Sequence, residues 1–332
     1  MCSNLLHEQE LIIDAPFEQL VSMENIFLAW QKFIRGGKRK KSDVMIFERN
    51  LERNLFELQE KIKTGTYKHS LYDTRLIRDP KERVISAAPV CDRVVHQALD
   101  NVIKFTFETC YIYDSYACRI GKGIHKASYR LRRLLQKASR SNTRSVYGLK
   151  CDVRKFFDTI NHEILLRLLK RRIISPGVLQ IIEHIIKSFE KTPGRGIPLG
   201  NLSSQLFANV YLNELDRFIK HELREKYYLR YCDDFIILSH DRAKLLNLVP
   251  KLRNFLKDAL KLELHPKKVV VRSWRQGIDF VGYVHKPWAV LVRTKTKERM
   301  IKKVNEKNIN SYLGVAKHAD SHELTQLLKN II

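Results

Sequence analysis

Three aspartates stand where carboxylate chemistry could be done. Asp152 ends the short apolar stretch 145–152, and Asp233 and Asp234 occupy the tip of YCDDFIIL at 231–238. The run predicts two strands, at 227–231 and 235–238, turning through the acidic pair. Adjacent carboxylates at a tight turn repel unless they share a cation, because like charges a few ångströms apart cannot both ionise cheaply. No Cys or His cluster lies beside them, so the donors are hard oxygens. Those suit Mg²⁺, which keeps several waters and takes its remaining ligands from substrate phosphates. The plainer reading is a turn whose acids only solvate a hairpin. The charge of the whole chain, the position of Asp152 and the phosphate-sized loop PGRGIPLG at 193–200 weigh against it.

That charge is +25 at pH 7, from 61 Lys and Arg against 36 Asp and Glu, and it calls for a polyanionic partner. Nucleic acid and an anionic membrane surface both meet it, but no apolar run approaches the ~18 residues of a membrane span. The opening MCSNLLHEQELIIDAPF carries acids where a secretory signal needs a basic-led apolar stretch, so a cytoplasmic location and no membrane are expected. Six scattered cysteines form no CxxC and are read as buried or incidental thiols. With 332 residues, 44% of them apolar, the chain exceeds one ordinary core and should form two or three subdomains.

The elements that must position the aspartates follow from local pattern. Helical spacing covers 16–36, 43–63, 91–109 and 124–140, with a hairpin around Asp79-Pro80-Lys81-Glu82 between the second and third. A strand at 145–152 precedes a helix from Asn161, whose side chain can cap it, to Arg172. A long helix is expected from Ser203 to about Glu225 and another over 241–261. Strands at 269–273, 278–284 and 288–293 and two basic helices after Thr294 complete the chain. The class is α+β, an antiparallel sheet backed by helices.

These residues resemble a family. LKCDVRKFFDTI at 149–160 looks like the first catalytic motif of reverse transcriptases, YCDD like their second metal-binding hairpin, and GIPLGNLSSQLFANVYLNELD like the intervening loop and helix. RVISAAPVCDRVVHQAL resembles the fingers motif, and LELHPKKVVV and GIDFVGYVHKP the later palm motifs and primer grip, so the likeness spans about 20–330. It implies a right-hand polymerase: N-terminal helices and fingers over 1–100, palm with inserted fingers helices over 101–285, and a short helical thumb over 286–332. Most of the family carries Gln-Gly and then Ser-Pro; the matching positions here are Leu199-Gly200 and Ser204-Gln205. That departure, the N-terminal AWQKFIRGGKRKKSDV region, the late SYLGVAKHADSHEL and the lack of an endonuclease or maturase extension are similar to the mutagenic enzymes of diversity-generating retroelements. Such bacterial or phage-encoded enzymes copy a template-repeat RNA into adenine-mutated cDNA, and act with a small basic pentameric accessory protein.

The resemblance also implies roles. A primer 3′-hydroxyl attacks an α-phosphate in line, with two Mg²⁺ ions, or Mn²⁺ in their place, bridging nucleophile and leaving oxygen. Asp152, Asp233 and Asp234 with the Val153 backbone would be the metal ligands. Lys268, or its neighbour Lys267, would protonate the leaving pyrophosphate. Phe157 would exclude a 2′-hydroxyl, against a reading as core beside Phe156. Lys81 and Arg83, with Arg75 less favoured, would meet the dNTP triphosphate, and Leu199, Gly200, Ser204 and Gln205 would line the nucleotide, Gly200 by admitting close backbone approach. Basic runs at 38–41, 130–133, 170–172 and 295–307 read as a track for template RNA and the RNA/DNA hybrid, with at least one of them only a solvated face. Tyr227, Tyr228 and Trp274 could stack bases, with core packing as the other reading, and His162 and His221 receive no role. Two alternatives stay open: another prokaryotic reverse transcriptase, of retron or phage-defence type, and a non-catalytic RNA-binding scaffold.

Overall fold

The apolar spacing of the N-terminal region folds into helices shorter than the spacing predicts. A computed structural model describes residues 16–78 and 82–332. In it the expected helix 16–36 is two, Phe17–Val21 and Met23–Phe33, because the Ser22 side chain accepts from the Asn25 N–H at 3.1 Å and starts a new helix. The expected helix 43–63 likewise breaks at Asn50 into Ser42–Arg49 and Leu51–Lys63.

The chain divides into two compact units. The first takes residues up to Tyr111, Lys155–Glu214 and Ala259–Leu262. Its core is the long helix Val90–Cys110 packed on Met23–Phe33, burying Ile26, Ala29, Trp30, Val94, Val95 and Leu99. Strands β1 (Asp73–Ile77) and β2 (Arg83–Ala87) form the expected antiparallel hairpin, Ile77 facing Arg83. Its tip, including Lys81, lies outside the described residues. Helix His162–Lys170 starts as expected, with Asn161 Oδ1 accepting from the Ile164 N–H at 2.9 Å. The spacing does not foresee the helix Pro176–Lys187, although Pro176 in its first turn marks it.

The second unit takes Ile112–Arg154, Leu215–Asp258 and Glu263–Ile332. Its main sheet holds β3 (Tyr147–Asp152), β4 (Tyr228–Tyr231), β5 (Asp234–Ser239) and β6 (Val270–Ser273) in the order β4-β5-β3-β6, every neighbour antiparallel. Helix Ile124–Ala138 backs the sheet, its Leu131, Leu134 and Leu135 sharing a core with Leu229, Ile236 and Leu238. The expected strand 278–284 is a second hairpin, β7 (Ile278–Phe280) and β8 (Tyr283–His285), because Val281 and Gly282 both turn left-handed, with φ 45° and 91°. Strand β9 (Val290–Val292) completes that sheet. Three helices follow rather than two, Thr294–Lys303, Ile309–Ala316 and His322–Asn330, and they bury Met300, Leu324 and Leu328 with Tyr283 and Val290. The helix expected to reach Glu225 runs over Leu202–Arg217 and ends in a wider turn, Phe218–Glu222. No helix among the described residues is long and apolar enough to cross a membrane.

Candidate active site

Strand register brings the aspartates together. Asp152, the last residue of β3, is the direct cross-strand partner of Asp234, the first of β5. Directly opposed residues share a face, with Cβ atoms about 4.5–5.5 Å apart. Asp233 stands in the turn just before, where Cys232 takes a left-handed φ of 54°. The electrostatics follow from this crowding. Burial raises the pKa of Asp233, and the charge of Asp152 raises it further. Burial likewise pushes Asp234 up to about 6; Lys150 opposes it, while Asp233 and Asp152 add to it.

Positive charge reaches the cluster from two lysines. Lys268 Nζ lies 2.7 Å from Asp152 Oδ2, whereas Lys267 is exposed and, among the described residues, its backbone N–H alone is engaged, by His265 Nδ1. Of the two candidates, Lys268 is therefore the one at the carboxylates. Lys150 Nζ lies 3.9 Å from Asp234 and 3.8 Å from Asp279, which also pairs with Arg293. Among the described residues no three Asp, Glu, His or Cys side chains converge as a ready cation cage. The donor set still suits a hard divalent cation. It is all oxygen, and Asp233 and Asp234 carry pKa values raised by burial and by neighbouring carboxylate charge, a penalty that a shared cation relieves. Val153 is buried and bridges Leu264, beside the bond from the His265 N–H to the Asp152 carbonyl at 2.8 Å.

A buried ion pair that the local pattern does not reveal holds the acidic turn. Arg230 and Asp216 are both fully buried, and Arg230 donates from Nε and Nη2 to the two Asp216 oxygens at 2.8 and 2.7 Å. The Tyr228 hydroxyl donates to Asp216 Oδ1 at 2.5 Å, and Arg230 Nη1 donates to the Cys232 carbonyl at 3.1 Å. Burial alone would lower the Arg230 pKa, but the Asp216 charge and hydrogen bonds overcome it, and the guanidinium stays charged. The pair thus ties the turn backbone to the end of helix Leu202–Arg217.

In the first unit the loop residues are clamped to the β1–β2 hairpin. The Ser86 N–H donates to the Leu199 carbonyl at 3.1 Å. Asn201, a residue the sequence reading passes over, accepts from the Ala88 N–H at 3.2 Å and donates to the Ser86 carbonyl at 2.7 Å. Gly200 has φ 110°, and a Cβ there would come within 2.7 Å of Ile85 Cγ2. The close approach it permits here is to the hairpin. Ser204 is buried and Gln205 exposed. Arg83 is exposed on β2, whereas Arg75 is held by Asp73 at 2.9 and 2.5 Å. Phe157 is half-buried, edge-on to the buried Phe156 with ring centroids 5.4 Å apart.

The family described as Reverse transcriptase (RNA-dependent DNA polymerase) matches residues 74–285. The chain belongs to it. Among curated relatives, this chain is 23% identical over 320 residues to the COX1/OXI3 intron 2 protein of Saccharomyces cerevisiae (75% of this chain, 36% of that one). It is 24% identical over 242 residues to the protein YkfC of Escherichia coli (61% and 63%). Against the group II intron-encoded protein LtrA of Lactococcus lactis the identity is 22% over 304 residues (70% and 49%). The chain therefore spans between about a third and two thirds of the length of these relatives. Enzymes of this family use divalent metals such as Mg²⁺.

The expected nucleic-acid groups of the chain divide. Arg130 is taken by Asp114 through two bonds of 2.7 and 2.9 Å. Around it, however, Lys122 Nζ lies 3.5 Å from the centroid of the exposed Tyr113 ring and 4.7 Å from that of Tyr116. Such cation–aromatic surfaces suit phosphate and base together. Tyr228 is fully buried and Trp274 nearly so, and Tyr227 packs against the same core, so these three rings serve packing.

Proposed function

We propose that this chain is the polymerase of a diversity-generating retroelement, copying a template-repeat RNA into cDNA by nucleotidyl transfer. The observation that carries the chemistry is the Asp152–Asp234 pairing with Asp233 beside it. Two divalent cations held by Asp152, Asp233, Asp234 and the Val153 backbone would supply charge stabilisation of the attacking and leaving oxygens. Lys268, already 2.7 Å from Asp152, is the proton donor for pyrophosphate in this reading. In the same reading Arg83 and Lys81 would meet the triphosphate, and Leu199 and Gln205 would line the nucleotide, with Gly200 holding the loop against the hairpin and the buried Ser204 behind it. Fingers over 1–100, palm over 101–285 and thumb over 286–332 are the corresponding division, and a pentameric accessory protein is the expected partner.

The finer part of the proposal rests on Leu199. The fold uses its carbonyl, bonded to the Ser86 N–H at 3.1 Å, and leaves the side chain half-buried. Leu199→Gln should therefore keep the loop while restoring an amide at a position where an aliphatic group makes no hydrogen bond. A recovered polar contact of ~1–1.5 kcal/mol corresponds to about tenfold in discrimination. Copying one defined RNA with both proteins and counting substitutions opposite each template base tests this. Errors at adenine should fall about tenfold in the variant, and unchanged errors with activity retained would remove Leu199 as their source.

Phe157→Ala is expected to raise ribonucleotide over deoxyribonucleotide incorporation by about tenfold, equivalent to ~1.4 kcal/mol of lost steric discrimination. The half-buried ring can be removed while Phe156 keeps its place in the core. Single-nucleotide extension with each sugar reads the ratio, and an unchanged ratio would leave Phe157 a packing residue only.

A further inference from the structure

We propose that a cavity in the second unit, at the opposite end of β3 from Asp152, is a second nucleotide site that takes one base with its phosphate. The cavity measures about 460 Å³ and is lined by Arg144, Ser145, Val146, Trp274, Arg275 and Trp288, among others. That lies within the ~300–1,000 Å³ range of small-molecule sites. Val146 stands six residues before Asp152 along an extended segment, a separation of roughly 20 Å at about 3.3 Å per residue. The site is thus distinct from the carboxylate cluster.

Three features define what it would take. First, Trp274 is only 3% exposed, and its indole Nε1–H has no hydrogen-bond partner among the described residues. A buried N–H is almost always paired, so an acceptor supplied by a ligand in the cavity would meet a real need. Second, Trp288 on the rim is 67% exposed, a large flat ring in water with Lys286 Nζ 5.6 Å from its centroid. Such a ring is a stacking platform for a base. Third, the charged groups in the lining are guanidinium groups, and none of the lining residues is acidic. Arg144 is anchored through its Nε to the Ala138 carbonyl at 2.7 Å, and its terminal nitrogens, unpaired among the described residues, are left for an anion. Arg275 is exposed. Guanidinium groups match phosphate oxygens. A planar acceptor, a stacking face and a phosphate together describe a nucleotide. A base in a duplex is already stacked and paired, so the source is a nucleotide of single-stranded RNA or a free nucleoside monophosphate.

The inference does not rest on the polymerase reading, and its test separates the two. Calorimetry on the full chain, in EDTA and at about 0.3 M salt to weaken the general attraction of a basic protein for RNA, compares 5′-AMP with a five-nucleotide single-stranded adenine RNA. The variants are Trp288→Ala, Arg275→Ala and Trp274→Phe, which keeps an aromatic ring at the position but removes the N–H. Binding should weaken at least about tenfold in the first two, the loss of one stacked base or one phosphate contact, and severalfold in the third. Variant-sensitive binding of AMP assigns the site to free nucleotides; variant-sensitive binding of the oligomer alone assigns it to an RNA strand. If neither probe binds, or all three variants bind as the wild type does, the proposal is overturned. Primer extension by the same proteins reports on the carboxylate site independently, so its loss would count against that reading and leave the binding result standing.

Discussion

Asp233→Asn is expected to lower dNTP incorporation by about a thousandfold or more while RNA affinity holds or rises slightly. The side chains are nearly the same shape, so what is removed is the charge that would hold a cation at the reacting phosphate. Losing about 4 kcal/mol of transition-state stabilisation gives this factor at ~1.36 kcal/mol per decade. Single-turnover primer extension measures it, with RNA binding followed on the same preparations. A variant that polymerises like the wild type would sink the assignment of Asp233. The neighbouring acid adds a check that needs no substrate. Asp234 binds its proton more tightly in the folded chain, at about 6 against an ordinary 3.8. Its contribution to stability is therefore full below ~3.8 and is lost as pH rises through about 6. In the presence of a chelator the wild type should lose stability between pH 5 and pH 7.5 on account of this group, and Asp234→Asn should flatten that part of the profile. Denaturant titrations at the two pH values decide the matter.

How much of this was legible before the structure depends on the range of the signal. The acidic hairpin announces itself because its apolar strands and charged tip are contiguous, and β4 pairs with β5 across that turn, Tyr231 facing Asp234; the facing of Asp152 and Asp234 across β3 and β5 is a long-range register that no local run states. Asn161 declares its helix by capping it. Ser22 and Asn50 were hidden because a 3.6-residue apolar period survives a one-residue break. The turn at Val281-Gly282 was hidden inside an apolar run, although the glycine was its signal. The clamp of Asn201 on the hairpin and the capture of Arg130 by Asp114 link segments far apart or of ordinary composition, and a polar residue does not state its partner. The hardest case is Asp216 with Arg230. Both are fully buried, yet in a chain with 61 cations an arginine near a strand reads as one more surface charge.

That pair carries the largest expected effect on folding. Arg230→Met leaves Asp216 buried with the Tyr228 hydroxyl as its remaining partner among the described residues, and an uncompensated buried charge costs about 3–5 kcal/mol. That is a large part of the 5–15 kcal/mol typical of a whole domain, so the single variant should unfold at markedly lower denaturant. Asp216→Leu combined with Arg230→Met replaces both charges by apolar groups and should recover most of that loss, since a buried pair is often no more stabilising than well-packed hydrophobic residues. Activity should not recover with it. Arg230 also donates to the Cys232 carbonyl at 3.1 Å, one residue before Asp233, and methionine cannot hold that backbone. The double variant is therefore expected to be folded, to bind RNA, and to incorporate dNTPs at least about tenfold more slowly than the wild type, the cost of ~1.4 kcal/mol in positioning the turn. Denaturation and primer extension on the same preparations separate the two roles: stability and activity recovering together would make the pair purely structural, whereas stability alone recovering would make Arg230 a positioning residue for the acidic turn.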